Sequence, residues 1–475
     1  MHSSASIPVF GQIETHPYGS MKISSSSIAI HRVLRVLVLI TVSAQAWQPE
    51  TLYRFQTDQG HPVARLRQDT NGNLYGTTAA GGRYGFGTIF QVTTNGILKT
   101  LTDFDGINGR GELRQPGLVL GSDGNFYGTS YHGGRDDNGT AFQMTPSGEL
   151  TVLVEFTGTN GSGPNELVLG SDGNFYGTTM FGGSSNLGTV FRLTTNGVLS
   201  ILGSFTQQNY RNGAYPAAGL VLGRDGNLYG TTSWGGDYGS GTVFQITPDG
   251  VFTKLADFDH MNGAIPEANL VQGNDGNFYG TTKSGGSRDY GTVFRVTTNG
   301  VLTSLVSLTF TTSWTPQAGL ILGNDGNFYG TTYGDNSVGR TNLGTVFQVT
   351  SNGVLTTLVE FSGTNGAYPA AELLLGKDGN LYGITFSDEP GDRGTIFRLD
   401  VAKLISVRRQ PDGSLSVCGT GPANETCRLW VVADLSPSTS WTPVVTNTFD
   451  SSGRFCYTDA SVATNTSRFY RISVP

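Results

Sequence analysis

The chain has 475 residues and a formal net charge of −7, with 14% charged and 37% hydrophobic residues. This apolar fraction suffices for a folded core, so a largely disordered chain is excluded. No stripe of Lys and Arg accompanies the acidic balance, which argues against a nucleic-acid partner, because binding phosphates requires clustered positive charge.

Residues 1–46 are predicted to be an N-terminal extension and a secretory signal peptide. The apolar run at 36–42 follows Lys22 and two arginines, and Ala44-Gln45-Ala46 is a small-x-small cleavage site. The run is shorter than a bilayer-spanning helix needs, which disfavours the alternatives of a membrane anchor and a buried helix. We therefore expect a secreted or cell-surface protein with no membrane span in the mature chain.

Residues 47–402 contain a repeat of about fifty residues, marked by seven copies of Asn-Leu-Tyr-Gly or Asn-Phe-Tyr-Gly. This is the period of a β-propeller blade. In the copy after Pro216, short apolar runs alternate with Asp-Gly turns, which predicts four antiparallel strands per copy. The motif tyrosines are Tyr75, Tyr127, Tyr176, Tyr229, Tyr279, Tyr329 and Tyr382.

The two ends of the repeat array predict that the ring closes. The seventh copy stops after its third strand at 394–399, and an isolated fourth strand at 51–55 precedes the first copy. Pairing these segments removes two exposed sheet edges. We predict an all-β chain, with a seven-bladed β-propeller closed by the N-terminal strand and a small β-sandwich domain after it. An open β-array is the alternative.

The repeated Asp-Gly-Asn-Phe-Tyr-Gly-Thr-Thr, Gly-Thr-Val-Phe and Thr-Thr-Asn-Gly segments resemble the GloVer tandem repeat of secreted bacterial proteins, named for Gloeobacter and Verrucomicrobia. The resemblance covers residues 50–400. It implies an exported, surface-associated protein, and it brings no catalytic residues with it.

Residues 403–475 depart from the repeat and are predicted to form a β-sandwich of immunoglobulin or fibronectin type. They also resemble the terminal module, ending in Arg-Phe-Tyr-Arg, of many exported verrucomicrobial proteins. All three cysteines lie here, and export favours a disulfide. We predict that Cys418 pairs with Cys427 across two strands, leaving Cys456 free. A three-cysteine metal site without a nearby His is the less favoured alternative.

The constant motif predicts turns and packing rather than a functional site. Asp-Gly supplies the positive φ of a tight turn, and one Asp per turn provides too few oxygens for calcium. The repeated Tyr, and the Phe of each third strand, are expected to fill the space between blades. The Gly after each Tyr is expected to permit close backbone packing. We expect no metal and no cofactor.

The loops that differ between copies lie on the face opposite the two constant hairpins, because successive strands run in opposite directions. Their aromatic rings stand among Asn, Asp and Arg, a composition typical of a carbohydrate-binding surface. The alternative is that the rings pack against their own loops. The predicted ligand-binding residues are Tyr84, Tyr131, His132, Phe181, Trp234, Tyr238, Tyr290, Tyr333, Tyr215, Trp314 and Tyr368.

No catalytic residues are predicted, since the sequence lacks His-Glu-x-x-His and Gly-x-Ser-x-Gly motifs. The predicted function is that of a secreted, monomeric, non-enzymatic repeat protein. It would bind an extracellular polysaccharide or a surface protein on the variable-loop face. One alternative is a polysaccharide-acting propeller hydrolase or lyase, which would need two carboxylates near the central channel. The other is a structural surface scaffold.

Overall fold

The chain folds into two all-β units in the structure, which is a computed structural model. The larger unit runs from Ala46 to Leu399 without Asn324–Gly326, and the smaller contains Asp400–Pro475. The structure describes residues 10–12, 37–42, 48–56, 58–111, 117–309, 315–334, 343–387, 394–401, 403–412, 414–421, 426–432, 442–460 and 469–474.

The larger unit is a seven-bladed β-propeller in which each blade is an antiparallel sheet of four strands in sequential order. The first strands are Arg67–Gln68, Val119–Leu120, Val168–Leu169, Val221–Leu222, Val271–Gln272, Ile321–Leu322 and Leu374–Leu375. The second are Leu74–Thr77, Phe126–Ser130, Phe175–Phe181, Leu228–Thr232, Phe278–Thr282, Phe328–Thr332 and Leu381–Thr385. The third are Thr88–Val92, Thr140–Met144, Thr189–Leu193, Thr242–Ile246, Thr292–Val296, Thr345–Val349 and Thr395–Leu399. The fourth are Leu98–Asp103, Leu150–Glu155, Leu199–Ser204, Phe252–Asp257, Leu302–Ser307, Leu355–Glu360 and, in the seventh blade, Glu50–Arg54.

The seventh blade combines the two ends of the array. Glu50–Arg54 pairs antiparallel with Thr395–Leu399, and Arg398 forms an ion pair of 2.6 Å with Glu50. Two irregular elements occur elsewhere in the unit. Ser162–Pro164 adds a strand to the third blade, and a short 3₁₀ helix spans Tyr210–Asn212.

The glycine after each motif tyrosine lies against the third-strand phenylalanine of its own blade. A Cβ on Gly230 would stand 2.7 Å from Phe244 Cζ and 2.8 Å from Leu220 Cδ2, closer than side-chain carbons approach one another. The other six glycines of the motif meet a phenylalanine and a leucine in the same way. The expectation that this glycine permits close packing is therefore confirmed.

The motif tyrosines join their own turns to the neighbouring blades, as Tyr229 illustrates. The ring of Tyr229 stacks on Phe278 of the next blade with 4.0 Å between the centroids. Its Oη donates to Asp225 Oδ2 at 2.7 Å and accepts from Gln245 Nε2 at 2.8 Å. Asn227 Nδ2 donates to the same carboxylate at 2.9 Å. The Asp thus anchors the tyrosine as well as forming the turn.

The smaller unit contains two sheets. One is formed by Lys403–Arg409, Leu415–Thr420 and Arg454–Asp459. The other contains Thr426–Val432, Thr442–Thr448, Phe469–Val474, Leu37–Val42 and Phe10–Gln12. Val417, Leu429 and Ile472, which come from both sheets, belong to one buried cluster.

The apolar run of the predicted signal peptide is a strand in this structure. Leu37–Val42 runs parallel to Phe469–Val474 and antiparallel to Phe10–Gln12. The cleavage site at 44–46 lies outside the described residues, and the signal peptide stays a prediction.

The predicted disulfide between Cys418 and Cys427 is wrong. Cys418 is bonded to Cys456, because their two strands are neighbours and place the cysteines directly opposite each other. Cys427 lies in the other sheet, where it is buried in the core, and burial raises the pKa of its thiol to about 11. The strands Leu415–Thr420 and Thr426–Val432, which hold Cys418 and Cys427, therefore belong to different sheets and do not pair with each other.

The first prediction concerns alkaline pH. Burial, followed by the hydrogen bond to Asp225, raises the pKa of Tyr229 from 10.0 to about 12, and Tyr127 and Tyr176 show the same shift. Above pH 10 the unfolded state releases protons that the folded state keeps, so stability falls as pH rises. We expect the free energy of unfolding to be fully retained below pH 10 and to decline as pH rises through about 12.

Urea unfolding, measured against pH together with tyrosinate absorbance, checks this expectation. Tyr229→Phe should lower stability at neutral pH by about 0.5–1.5 kcal/mol and should make the alkaline decline shallower. Titration of all the tyrosines near pH 10 in the folded protein would contradict it.

The second prediction concerns a cavity of about 110 Å³ between the third and fourth blades, lined by Gly203, Phe205 and Phe252. A Cβ on Gly203 would meet only Ile246 Cδ1, at 3.8 Å. We expect Gly203→Ala to stabilise the fold by about 0.4–1 kcal/mol. The matched change Gly230→Ala should destabilise it by about 1–3 kcal/mol because it overpacks the blade. Thermal unfolding of both variants tests the contrast, and equal effects would refute it.

Candidate functional site

Several of the predicted ligand-binding aromatics pack within the variable loops. Phe181 meets the ring of Tyr215 edge-on at 5.6 Å, and Tyr333 lies 5.2 Å from Tyr368. Burial raises the pKa of Tyr333. Tyr290 packs against the buried cluster between the fifth and sixth blades. At these five residues the alternative of loop packing is the one that the structure supports.

Two further predicted residues, Tyr131 and His132, contact other groups of the protein. Tyr131 Oη contacts Met180 Sδ at 3.3 Å. His132 Nδ1 lies 3.5 Å from Asp137 Oδ2, within its own loop. Trp314 falls outside the described residues. The first two therefore have partners inside the protein.

Two predicted aromatics are exposed together in the loop of the fourth blade. Trp234 is 47% exposed and Tyr238 is 68% exposed. Between them, Asp237 forms ion pairs with Lys254 at 3.1 Å and with Arg211 at 3.5 Å. We call Trp234, Asp237 and Tyr238 the fourth-blade platform. Its carboxylate is held in place by two cations while its rings remain available to solvent.

Tyr84, in the corresponding loop of the first blade, is the remaining exposed aromatic among the predicted residues that the structure describes. It is 51% exposed, and the Arg83 guanidinium lies 5.4 Å from its ring centroid. The structure therefore places three of the predicted residues at the surface, two of them in one loop.

A second group of candidate residues surrounds the central channel. In each copy a leucine recurs shortly before the first strand. The residue immediately before this leucine lies at the centre of the propeller. Large polar residues and glycines alternate at this position around the ring. We call these seven residues the channel ring: Arg65, Gly117, Glu166, Gly219, Asn269, Gly319 and Glu372.

Ion pairs join the large members of the channel ring. Arg65 Nε donates to Glu166 Oε1 at 2.6 Å, and Arg65 Nη1 donates to Glu372 Oε1 at 2.7 Å. Glu166 also accepts from Arg67 Nη2 at 3.2 Å and from Asn269 Nδ2 at 2.8 Å. The two carboxylates thus share one guanidinium, and together these bonds link four blades across the channel.

The glycines of the ring provide the space that these side chains occupy. A Cβ on Gly117 would stand 2.7 Å from Glu166 Oε1 and 3.0 Å from Arg65 Cγ. A Cβ on Gly319 would stand 3.0 Å from Glu372 Oε2. Larger residues at these positions would displace the ion pairs.

The pKa values of the residues in this network are shifted in different directions. Burial tends to lower the pKa of Arg65, but Glu166 and Glu372 more than offset it and raise the pKa overall. Burial, and then the neighbouring Arg65, lower the pKa of Arg67. Burial raises the pKa of Glu372 despite its contact with Arg65. Burial at the channel thus favours the protonated form of Glu372.

A cavity of about 190 Å³ lies above the channel ring, and all seven copies contribute to its lining. The lining segments enter directly from the loops between blades, so this channel cavity faces the variable-loop side. At its edge, Lys283 pairs with Glu267 at 3.2 Å, and Gln317 is exposed. None of the predicted aromatic residues that the structure describes lines it.

The channel ring was not predicted from the sequence, although its seven positions show a regular pattern of residue types. The alternation of polar residues and glycine becomes visible only when the copies are aligned on the Leu before the first strand. Within the described residues, no cluster of His, Cys, Asp and Glu is arranged to hold a metal ion. The described part of the chain also has no helix long and apolar enough to cross a bilayer.

The third prediction concerns Glu166. Its removal would leave the half-buried Arg67 without its carboxylate partner and Arg65 with Glu372 alone, so Glu166→Ala should destabilise the protein by about 1–3 kcal/mol. The exposed Glu149 provides a matched control, because Glu149→Ala should stay within about 0.5 kcal/mol of the wild type. Urea unfolding measures both, and similar stabilities for the two variants would contradict a structural role for the ring.

Comparison with solved structures finds distant similarities. The extracellular domain of a hybrid two-component system from B. thetaiotaomicron matches 92% of this chain, with 10% identity and a TM-score of 0.49, and the match covers 58% of that domain. A gluconolactonase from Xanthomonas campestris matches 84% of this chain and 98% of its own, with 12% identity and a TM-score of 0.41. A puromycin hydrolase matches 80% of this chain and 64% of its own, with 12% identity and a TM-score of 0.46.

Sequence comparison identifies the family. A search of curated proteins finds no match. The profile of the Gloeobacter/Verrucomicrobia repeat, in contrast, matches residues 110–274 and 269–414, more than half of the chain. These matches bear out the resemblance seen in the repeated motifs. The chain therefore belongs to the Gloeobacter/Verrucomicrobia repeat family.

Proposed function

We propose that this protein is an exported, non-enzymatic propeller that binds a polysaccharide on its variable-loop face. The observation that carries the proposal is the fourth-blade platform, where Trp234 and Tyr238 are exposed in the same loop as Asp237. Flat rings stack on the C–H faces of sugars, and charged groups hydrogen-bond to their hydroxyls.

Two observations support export. The sequence at 21–46 has the features of a signal peptide. The Cys418–Cys456 disulfide is of the kind that persists in oxidising compartments. The C-terminal unit would then serve as an accessory or attachment module outside the cell.

The polarity of the platform favours a polysaccharide over a surface protein as the partner. Asp237 lies in the same loop as the two rings, and its carboxylate forms ion pairs with Arg211 and Lys254. The centre of a stable protein interface is usually depleted in charged residues. A sugar chain, which carries hydroxyls along its length, fits such a mixed surface better.

The alternative of a hydrolase or lyase has one observation in its favour. Glu166 and Glu372 form a carboxylate pair at the central channel, and burial raises the pKa of Glu372, as a general acid requires. The Arg65 guanidinium, however, binds both carboxylates and fills the space between them. That space is where the scissile bond of a substrate would have to lie, so we favour binding over catalysis.

The fourth prediction tests the platform with a glycan array, using the exported protein purified from its host. We expect binding to a polysaccharide, and we expect the double variant Trp234→Ala/Tyr238→Ala to weaken it by about tenfold or more. The matched control is Ile97→Ala/Val251→Ala, which removes exposed apolar side chains on the constant hairpins and should leave binding unchanged.

Three outcomes would count against the proposal. Absence of binding to every glycan, or equal loss in the two double variants, would refute the platform. Shortening of a bound glycan, detected by product analysis, would favour the hydrolase or lyase. Capture of a surface protein that depends on Trp234 would favour the protein partner instead.

A further inference from the structure

We propose that the channel cavity is a second, separate site, which binds a neutral polyhydroxylated molecule of about the size of one monosaccharide. The site goes beyond the proposed function, because it uses neither Trp234 nor Tyr238 and would exist whether or not the fourth-blade platform binds polysaccharide.

The size of the cavity sets the size of its ligand. Its volume is about 190 Å³. Pockets for drug-sized ligands usually measure about 300–1,000 Å³. The channel cavity is therefore too small for an extended chain and fits one small molecule, or the last unit of a chain entering from the variable-loop side.

The polar groups of the lining combine donors with acceptors. Arg65 Nε and Nη1 are used by the ring carboxylates, whereas Nη2 has no hydrogen-bond partner among the described residues. Glu372 uses Oε1 for Arg65, and its Oε2 likewise makes no bond to a described residue. A hydroxyl both donates and accepts a hydrogen bond. Neighbouring free donors and acceptors therefore suit a molecule that carries several hydroxyls.

The charge of the lining argues against an anionic ligand. The three carboxylates of Glu166, Glu267 and Glu372 are balanced by three cations that already form ion pairs with them: Arg65, Arg67 and Lys283. A phosphate or carboxylate group would find no unpaired cation there and would approach three carboxylates, whereas a neutral polyol needs no counter-charge.

Ion pairs also preorganise the polar side chains of the cavity for binding. The ion pairs of Arg65 with Glu166 and Glu372 fix the long side chains at the base of the cavity. Binding then costs little side-chain entropy, which is otherwise a large part of the cost of holding a small ligand. The walls are formed by small residues, including Ala217 and Ala370, so the hydroxyl-bearing ring has room beside the polar groups.

The fifth prediction is tested by saturation-transfer NMR and calorimetry on the purified protein. The probes are glucose, N-acetylglucosamine and myo-inositol as neutral polyols, and glucuronate as the anionic counterpart. We expect saturable binding of at least one neutral probe at millimolar concentration or below, and weaker binding of glucuronate. Ala217→Leu, which fills the cavity from its wall, should weaken the binding of the neutral probe by tenfold or more.

The controls separate this site from the polysaccharide proposal. Trp234→Ala/Tyr238→Ala should leave binding of the small probe unchanged, and Ala217→Leu should leave platform-dependent glycan binding unchanged. If Ala217→Leu lowers the melting temperature markedly, Ala370→Leu fills the same cavity from the seventh blade. The inference is overturned if no neutral probe binds, if glucuronate binds most tightly, or if filling the cavity has no effect.

Discussion

The contact of the motif tyrosines with the next blade is the interaction on which the propeller depends. A four-stranded blade cannot bury both faces by itself, and its neighbours supply the missing apolar contacts. The ring of Tyr279, for example, stacks on Phe328 of the sixth blade at 4.0 Å, while its hydroxyl donates to Asp275 at 2.8 Å. One side chain therefore fixes both the distance between two blades and the conformation of a turn. Because the glycine that follows admits a phenylalanine against the backbone, the same short motif also sets the packing within the blade.

Much of this architecture could be predicted from the sequence because its determinants are local and repeated. The period of about fifty residues predicted propeller blades, and the seven copies of the motif predicted their number. The Asp-Gly turns predicted the hairpins within each blade. The C-terminal unit has no repeat to guide such a prediction. There, Cys418 lies opposite Cys456, 38 residues away in sequence, and not opposite the nearer Cys427. Which strands become neighbours in such a unit depends on contacts between distant segments, and spacing along the chain carries little information about them.

The candidate sites were only partly predictable, for a different physical reason. Tyr238 and Tyr290 stand in corresponding loops of neighbouring blades, yet the first is exposed and the second packs against the core. Residue type does not decide between these outcomes, since each depends on which side chains approach from the adjoining loops. The channel ring illustrates the converse case. Its members are about fifty residues apart and look unrelated in sequence, and only closure of the ring brings Arg65 and Glu372 to within 2.7 Å.

Because the number of blades is odd, large and small residues cannot alternate without interruption around the channel ring. A ring with an even number of positions can alternate large and small residues without interruption, but a ring of seven must place two residues of one kind side by side. Here the two are Glu372 of the last blade and Arg65 of the first, and they carry opposite charges. The unavoidable break in the alternation thus coincides with the junction between the ends of the array. A propeller of six or eight such repeats could fill its axis without any adjacent large pair. In a ring of seven the two like neighbours must be either both small or both large, and here the large pair has opposite charges and forms an ion pair.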